Sequence, residues 1–522
     1  MLRFLRDNNR RVTKHITSNL LLATMSMAFS VFTFGFEQAV FDTVQAMTPF
    51  ERRFGDFLES EGQYGFTASK LAYLNSFPLI SYAIGVVVAS QIGERFGRKP
   101  VFIGMNFICM TGLIVVLTAK SYGQILAGRM ILNLHVGTEA WLVPMYQAEL
   151  VPAAVRGSFV SLYAFNHIFA GFICSIITNF TSNIPTDACW MIPVGCTVIF
   201  PSLVLSTCWL VPESPRWLLR KGRVDKATEN IFYLSGTSPD YPAHQEAALL
   251  LEALQEGQTK GEWSDLIKGI NLRRTIHGVL ASAFTQLTGQ SFASQYGSIF
   301  LKSINVMNAF TATMIKRALL CIGCLAVIFF VDKTGRRRMF LVGSFITAAA
   351  LMVMGGLGTV APSTMGIKKG IVAMALVFPA TYMNSFAATL QVFKSEVPHI
   401  TLRDKSVMVF WSVANLCNFV ATFTLPYLLQ APYANLGSKV GFIYGSIATL
   451  GFIWGYCFLP EMAGRSLEEI DEMFESKVPA WRSRGMLHLS SAGNTVLLTQ
   501  STKQAPLEEV EERVEDISSQ SK

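Results

Sequence analysis

Two acids follow a long uncharged segment. Residues Ile16–Phe36 carry no charged side chain, and then Glu37 and Asp42 appear within "FGFEQAVFDTV". A carboxylate in a bilayer costs about 2.5–3.5 kcal/mol on insertion scales unless it meets a partner or water. Glu37 should therefore turn inward. Apart from the basic pair that begins one span, Arg129 is the one basic residue inside the apolar cores delimited below, and it and Glu37 are each the expected partner of the other. A carboxylate beside a cation stays ionised; parted from it in a dry site, it takes up a proton. Such a pair can load and release a proton as helices move. Five residues of helix turn by about 140° net, so Glu37 and Asp42 cannot face one spot. We expect Glu37 to be the proton site, with Asp42 the alternative and otherwise the wetter acid that marks the membrane edge. A static salt bridge without proton transfer stays open. Glu139, His135 and His167 form either a second polar cluster or ordinary packing hydrogen bonds.

The elements that must hold these groups are membrane helices. The chain has 522 residues, 51% hydrophobic and 15% charged, with mean hydropathy +0.39. Soluble domains carry nearer a quarter charged residues. The net charge of +8 is spread over loops, and we do not read it as nucleic-acid binding. Cys321 and Cys324 form a CxxC inside an apolar run without a neighbouring His or acid, which favours packing over metal or redox work. No cofactor or metal is expected.

A span needs about 20 apolar residues of helix. Ten runs qualify: Ile16–Phe36, Leu71–Gly93, Pro100–Ala119, Gly157–Thr186, Ala188–Pro212, Thr275–Leu301, Met339–Ile367, Gly370–Phe393, Ser406–Ser438 and Val440–Pro460. Tyr122–Tyr146, interrupted by Arg129 and Glu139, and Ile315–Val331, which begins at a basic pair, make twelve. The expected order is a cytoplasmic N-terminus (1–15), six helices (16–212), a central loop (213–274), six helices (275–460) and a tail (461–522). With both termini inside, the short inner segments carry 16 basic residues against 10 outside, which supports that orientation. The central loop could hold short amphipathic helices. The tail reads as mostly disordered, with "LEEVEERVED" at 507–516 a helix only if partnered. The sequon at Asn179 hugs a span end and reads as unused.

Two loops repeat. Glu94-Arg95-Phe96-Gly97-Arg98-Lys99 follows span 2, and Asp332-Lys333-Thr334-Gly335-Arg336-Arg337 follows span 8. Matched order at matched places marks a parallel repeat of two halves. Gly128-Arg129 opens span 4, followed by Pro144, Tyr146, Glu149, Pro152, Arg156 and Gly157. "PESPRWL" (Pro212–Leu218) closes the first half, and "PEMAGRSLEEID" (Pro460–Asp471) follows the last span. On these motifs, over nearly the whole chain except the tail, the sequence resembles the sugar porter family of the major facilitator superfamily. The resemblance implies an all-α membrane fold of two six-helix bundles around a central cavity. It implies an inner gate built from Glu94, Arg95, Gly97, Arg98, Glu149 and Arg156, with Glu213 and Arg216 after the first half. Asp332, Gly335, Arg336, Glu396, Arg403, Glu461 and Arg465 would be their second-half counterparts. Gly35-Phe36-Glu37 matches the family's Gly-aromatic-Asp, with Glu for Asp. Asp42 falls where a small residue is usual, and His135 where Gly is.

Span 7, "FTQLTGQSFASQYGSIF", resembles the family's sugar-binding segment. Gln286, Gly289 and Tyr296 persist; Thr285 replaces a Gln, Ser291 an Asn and Gln295 a Tyr. Amides and hydroxyls suit sugar hydroxyls because they both donate and accept. We expect substrate contacts from Gln286, Gln290, Ser291, Gln295 and Tyr296, and in span 11 from Asn415, Asn418 and Trp411. Ala164, Ala387-Ala388 and Gln391 depart from the family pattern, which weakens glucose as substrate more than it weakens transport. The Ser-Phe-Ala-Ser run is similar to fungal glycoside transporters. The resemblance implies a proton-coupled sugar or glycoside importer of a cell membrane, monomeric, with sugar, proton and lipid as its partners. An exporter of a small organic metabolite and a non-transporting nutrient sensor stay open. No nucleophile–base pair or metal spacing suggests an enzyme.

Overall fold

The computed structural model describes residues 17–59, 62–236, 243–256, 261–360, 362, 364–463, 470, 473–474, 479–485, 487–489 and 496–498. Side chains are described for these except 153–158, 160–161, 253, 255–256, 329–333, 400 and those beyond 483. Twelve long helical segments run through them. In the first half they are α1 (Ser18–Val44), α2 (Ala68–Phe96), α3 (Arg98–Leu117), α4 (Tyr122–Leu150), α5 (Ala153–Thr181) and α6 (Ala188–Leu210). In the second they are α7 (Gly269–Leu287, continued by Gln290–Ser294 and Gly297–Ile304), α8 (Ala309–Thr334), α9 (Arg336–Leu357), α10 (Met365–Glu396), α11 (Arg403–Leu429) and α12 (Val440–Phe458). Ten are long and apolar enough to cross a membrane. The other two, α4 and α7, carry Arg129, His135, Glu139, Arg273, Arg274 and His277, the polar load that chemistry needs.

The helices pack in a duplicated pattern. In the first half α1 packs on α5, α2 and α3 on α4, and α3 on α6. In the second, α7 packs on α11, α8 and α9 on α10, and α9 on α12. The halves meet through α2 on α11 and α5 on α8, partners exchanged by a pseudo-twofold axis. Large apolar side chains such as Ile80, Ile84, Val87 and Val88 on α2 point outward, as a lipid-facing stripe must. We call the ends that carry connections 1/2, 3/4, 5/6, 7/8, 9/10 and 11/12 the odd end, and the opposite side the even end.

Several boundaries differ from the sequence expectation. α8 begins at Ala309 rather than Ile315, so Lys316 and Arg317 lie two turns inside it. The six added residues, Ala309–Met314, are uncharged, but the Lys316-Arg317 pair cuts them off from the apolar run that follows; Ala309 and Ala312 are buried. α7 starts six residues earlier than expected and breaks at Gly289, whose φ of 96° is left-handed. Connection 1/2 holds a short helix, Thr48–Phe54, and a hairpin pairing Asp56–Leu58 with Gln63–Gly65. The central connection forms helices Pro215–Arg220, Val224–Ser235 and Ala243–Glu256. In the tail, expected to be mostly disordered, Leu487–Leu489 pairs antiparallel with Val496–Leu498. Residues 507–516 lie outside the described residues. Asn179 Oδ1 accepts a hydrogen bond from Thr311 Oγ1 at 2.8 Å.

The site on α1 depends on a close helix crossing. A Cβ at Gly35 would stand 2.0 Å from the His167 carbonyl oxygen of α5. Only the missing side chain lets α1 sit this deep and aim Glu37 into the first half. Gly35→Val should lower the melting midpoint of the detergent-purified protein, with the cost of about 1–3 kcal/mol typical of an overfilled core. Gly104→Val, where a Cβ would meet nothing within 4 Å, should leave it unchanged.

Candidate functional site

Glu37 is buried, 3% exposed, as its sequence context requires. Its neighbour is not the expected one. Among the described residues Arg129 makes no ion pair with Glu37. Its guanidinium donates to Asn75 Oδ1 at 2.9 Å and lies 4.5 Å from the Phe41 ring centroid. Asn75 in turn donates to Gln45 Oε1 at 3.0 Å, and the Gln45 amide donates to the Gln295 carbonyl of α7. This relay joins the first half to α7 of the second. Glu37 Oε2 instead stands 3.5 Å from His135 Nδ1. The expected cluster of His135, His167 and Glu139 divides: Glu139 accepts from the Tyr163 hydroxyl at 3.2 Å, and the His167 ring packs tilted against Phe34, centroids 4.3 Å apart.

Asp42 is the larger correction. It is 2% exposed, not a wet marker of the membrane edge. Lys316 Nζ and Arg317 Nη2 reach its Oδ2 at 3.1 and 3.2 Å, and Ser298 donates to its Oδ1 at 3.3 Å. Lys316 also donates to the Ala293 carbonyl at 2.7 Å. The expectation fails because the basic pair is not at a helix entrance: α8 carries it inward. The 140° offset does hold: Glu37 faces α4, and Asp42 faces α7 and α8. Two cations at one buried carboxylate tie α1 to α8 across the halves. Lys302 adds Glu51 at 2.6 Å and the Ala46 carbonyl at 2.9 Å. Lys302, Ser298, Lys316, Arg317 and Thr311 thus all link the halves near the odd end.

The α7 segment presents its amides inward. The side-chain oxygens of Gln286, Gln290 and Gln295 are buried without a hydrogen-bond partner. Ser291 donates to Asn418 Oδ1 at 2.9 Å and accepts from Thr422 at 3.0 Å, so these two expected contacts are already joined to each other. Tyr296 is buried and donates to the Thr422 carbonyl at 2.9 Å, a structural bond within the second half. Asn415 is half-buried on α11, one turn from Trp411, which is 45% exposed with Lys394 Nζ 6.0 Å from its ring.

At the even end the repeated loops adopt the same geometry. Gly97 (φ 107°) and Gly335 (φ 87°) make the turns. The Glu213 carboxylate accepts from the backbone of Arg98 (2.8 Å) and Lys99 (3.1 Å), and Glu461 from Arg336 (2.8 Å) and Arg337 (3.2 Å). Each caps a helix start, where free N–H groups and the helix dipole favour an anion. Arg98 grips Glu149 with two nitrogens, at 3.1 and 3.2 Å, and Arg336 reaches Glu396 at 3.5 Å. These pairs close within each half. Glu94 and Arg95 are exposed; Arg216 and Arg403 are half-buried. The side chains of Arg156 and Asp332, and all of Arg465, lie outside the described residues.

Removing one partner of a buried charge cluster strands the other, at a cost of about 3–5 kcal/mol. Asp42→Asn should lower the melting midpoint and raise labelling of a cysteine placed at the odd end. Adding Lys316→Met should recover part of the loss, since one stranded cation goes with it.

The comparisons with known proteins agree with this architecture. The family described as sugar (and other) transporter matches residues 23–474. Low-affinity glucose transporter HXT3 of Saccharomyces cerevisiae is 26% identical over 487 residues, covering 90% of this chain and 85% of that one. The probable glucose transporter rco-3 of Neurospora crassa is 26% identical, covering 86% and 78%. The inward-open xylose transporter XylE from E. coli superposes with a TM-score of 0.70 at 22% identity, covering 86% of this chain and 98% of that one, which shows the fold. With the duplicated helix packing and the family match along most of its length, the chain belongs to the sugar (and other) transporter family.

Proposed function

We propose that this protein moves a sugar or glycoside across a cell membrane by alternating access, driven by a proton. The odd end is the outer one, both termini are cytoplasmic, and the protein works as a monomer. The observation that carries the reading is the row of buried, unpartnered amide oxygens of Gln286, Gln290 and Gln295 on α7. A buried acceptor left without a donor is costly, and sugar hydroxyls are donors of the right kind. Asn415 and Trp411 add an amide and an aromatic face on α11. The Asp42 cluster holds the outer side shut in this state, and the even-end loops gate the inner side. Inward-open XylE, a fold neighbour, supports that assignment of sides. XylE is a proton:xylose symporter, which supports the proton as driving ion.

The proton step belongs to Glu37. Its carboxylate is buried, near a cation it does not touch, with one oxygen unpartnered. A carboxylate whose counter-ion moves toward and away from it can release a proton in one state and hold it in the other. In proton import, uptake rises as the outer pH falls, because the outward-facing site must be protonated to proceed.

Labelled hexoses and pentoses offered to transport-deficient cells at two external pH values test the reading. Saturable uptake that rises at acid pH is expected, and Glu37→Gln should abolish accumulation and pH dependence. Gln290→Leu should raise KM about tenfold, the order expected when a hydrogen bond to a hydroxyl is removed. Uptake by the Glu37→Gln protein with an unchanged pH profile rejects the proton site. Surface-expressed protein with no uptake of any sugar rejects the substrate class.

A further inference from the structure

The transported proton needs a home, and the groups around Glu37 supply more than one carboxyl. Arg129 is held by Asn75 and Phe41. Glu37 Oε2 faces His135 Nδ1 at 3.5 Å. His135 is wholly buried, and neither of its ring nitrogens has a hydrogen-bond partner. The Cys109 thiol of α3 closes the pocket: it, the Glu37 carboxylate and a His135 nitrogen lie within 4.8 Å of one another. An imidazole with both nitrogens idle and a carboxylate beside it is poorly suited to packing alone, because buried polar atoms are normally bonded.

The neighbouring groups narrow its role. The ionisable groups around the pocket are Glu37 on α1, Cys109 on α3, and Arg129, His135 and Glu139 on α4. Tyr82 of α2 and Tyr163 and His167 of α5 stand beside them; α6 contributes only thiols. Lys316 and Arg317 of α8 both pair with Asp42. Arg129 donates to Asn75, and Glu139 Oε2 accepts from the Tyr163 hydroxyl. Glu37 Oε2 and His135 Nδ1 have no such partner, so a proton held between them satisfies two buried atoms at once.

Resting on the transport reading above, we propose that His135 shares the transported proton with Glu37 as a two-residue carrier. The proton passes between His135 Nδ1 and Glu37 Oε2. It is taken from water when the odd end is open and returned to water on the even side; no other bond changes and no electron moves. Closing the odd end, as here, draws Arg129 toward Asn75 through the Gln45–Gln295 link and leaves His135 as the neighbour of Glu37. Opening breaks that link and frees Arg129 to approach the carboxylate and displace the proton's hold.

The test is the pH profile of uptake of whichever labelled sugar the panel identifies, each variant normalised to its own maximum. His135→Gln keeps a polar side chain that cannot titrate. It should flatten the profile or move its midpoint by about one pH unit or more. A wild-type profile in His135→Gln overturns the proposal and leaves Glu37 as sole carrier. A wild-type profile in Glu37→Gln overturns the underlying reading instead. Should His135→Gln fail to reach the membrane, infrared titration of purified wild-type protein decides without a variant or a sugar. Imidazole and carboxyl bands that change at one common pH support the shared proton, and separate midpoints overturn it.

Discussion

A charge buried in this molecule has to be answered by a counter-ion, a polar group or an aromatic face of the protein, because the bilayer answers none of them. That constraint explains where the helices meet. Among the described residues, Asp42 on α1 has no counter-ion in its own half, and Lys316 and Arg317 on α8 have none in theirs. Each half alone would carry an uncompensated ion in a low-dielectric interior, which costs several kcal/mol. Docked, they form a cluster with Ser298 and the Ala293 carbonyl that satisfies most of their polar atoms. The interface near the odd end is therefore held by electrostatics, which can be broken by water entering as the halves part. A purely apolar seam would lack that response.

The even end uses the same physics differently. There the acids Glu213 and Glu461 bind the starts of α3 and α9 within their own halves, and Arg98 and Arg336 close back on Glu149 and Glu396. Each half keeps its own loop rigid while the two halves stay free to separate on that side. A glycine at each turn permits the close approach: a Cβ at Gly97 or Gly335 would stand 2.3 Å from the capping carboxylate. The duplication seen in sequence is thus a duplication of a capped turn, and its charges are spent locally.

Much of this is legible in the sequence, for reasons that can be named. Apolar length and the repeated loops give the twelve helices and two halves, because both follow from local composition. Burial of Glu37 and its divergence from Asp42 follow from helix angle. Partnership across distance is what the sequence hides. Arg129 is the one cation in the middle of an apolar run, which points it at Glu37, yet Asn75 holds it. The true start of α8 lies in "NAFTAT", ahead of Lys316-Arg317, whose charges interrupt the uncharged run, so the pair reads as a wet helix entrance. That one boundary hides the partners of Asp42. His135 is visible, but its choice of Glu37 over Glu139 depends on how α1 crosses α5 at Gly35, which no spacing encodes. The internal pairing of Ser291 with Asn418 is likewise a tertiary fact.

The relay from Arg129 through Asn75 and Gln45 to the Gln295 carbonyl connects these observations. It begins beside the Glu37–His135 pocket and ends on the helix that carries Gln286 and Gln290. It crosses between the halves close to the Asp42 cluster. Gln45 sits three residues beyond Asp42 on the same helix, and Gln295 three before Ser298 on α7. Opening the cluster must pull these two pairs apart together. The position of Arg129, and with it the electrostatic field at Glu37, then depends on whether the odd end is closed. In the proton-coupled transport proposed above, a sugar bound at α7 and a proton bound beside Glu37 would act on this one shared set of bonds, which gives the proposed coupling a physical form.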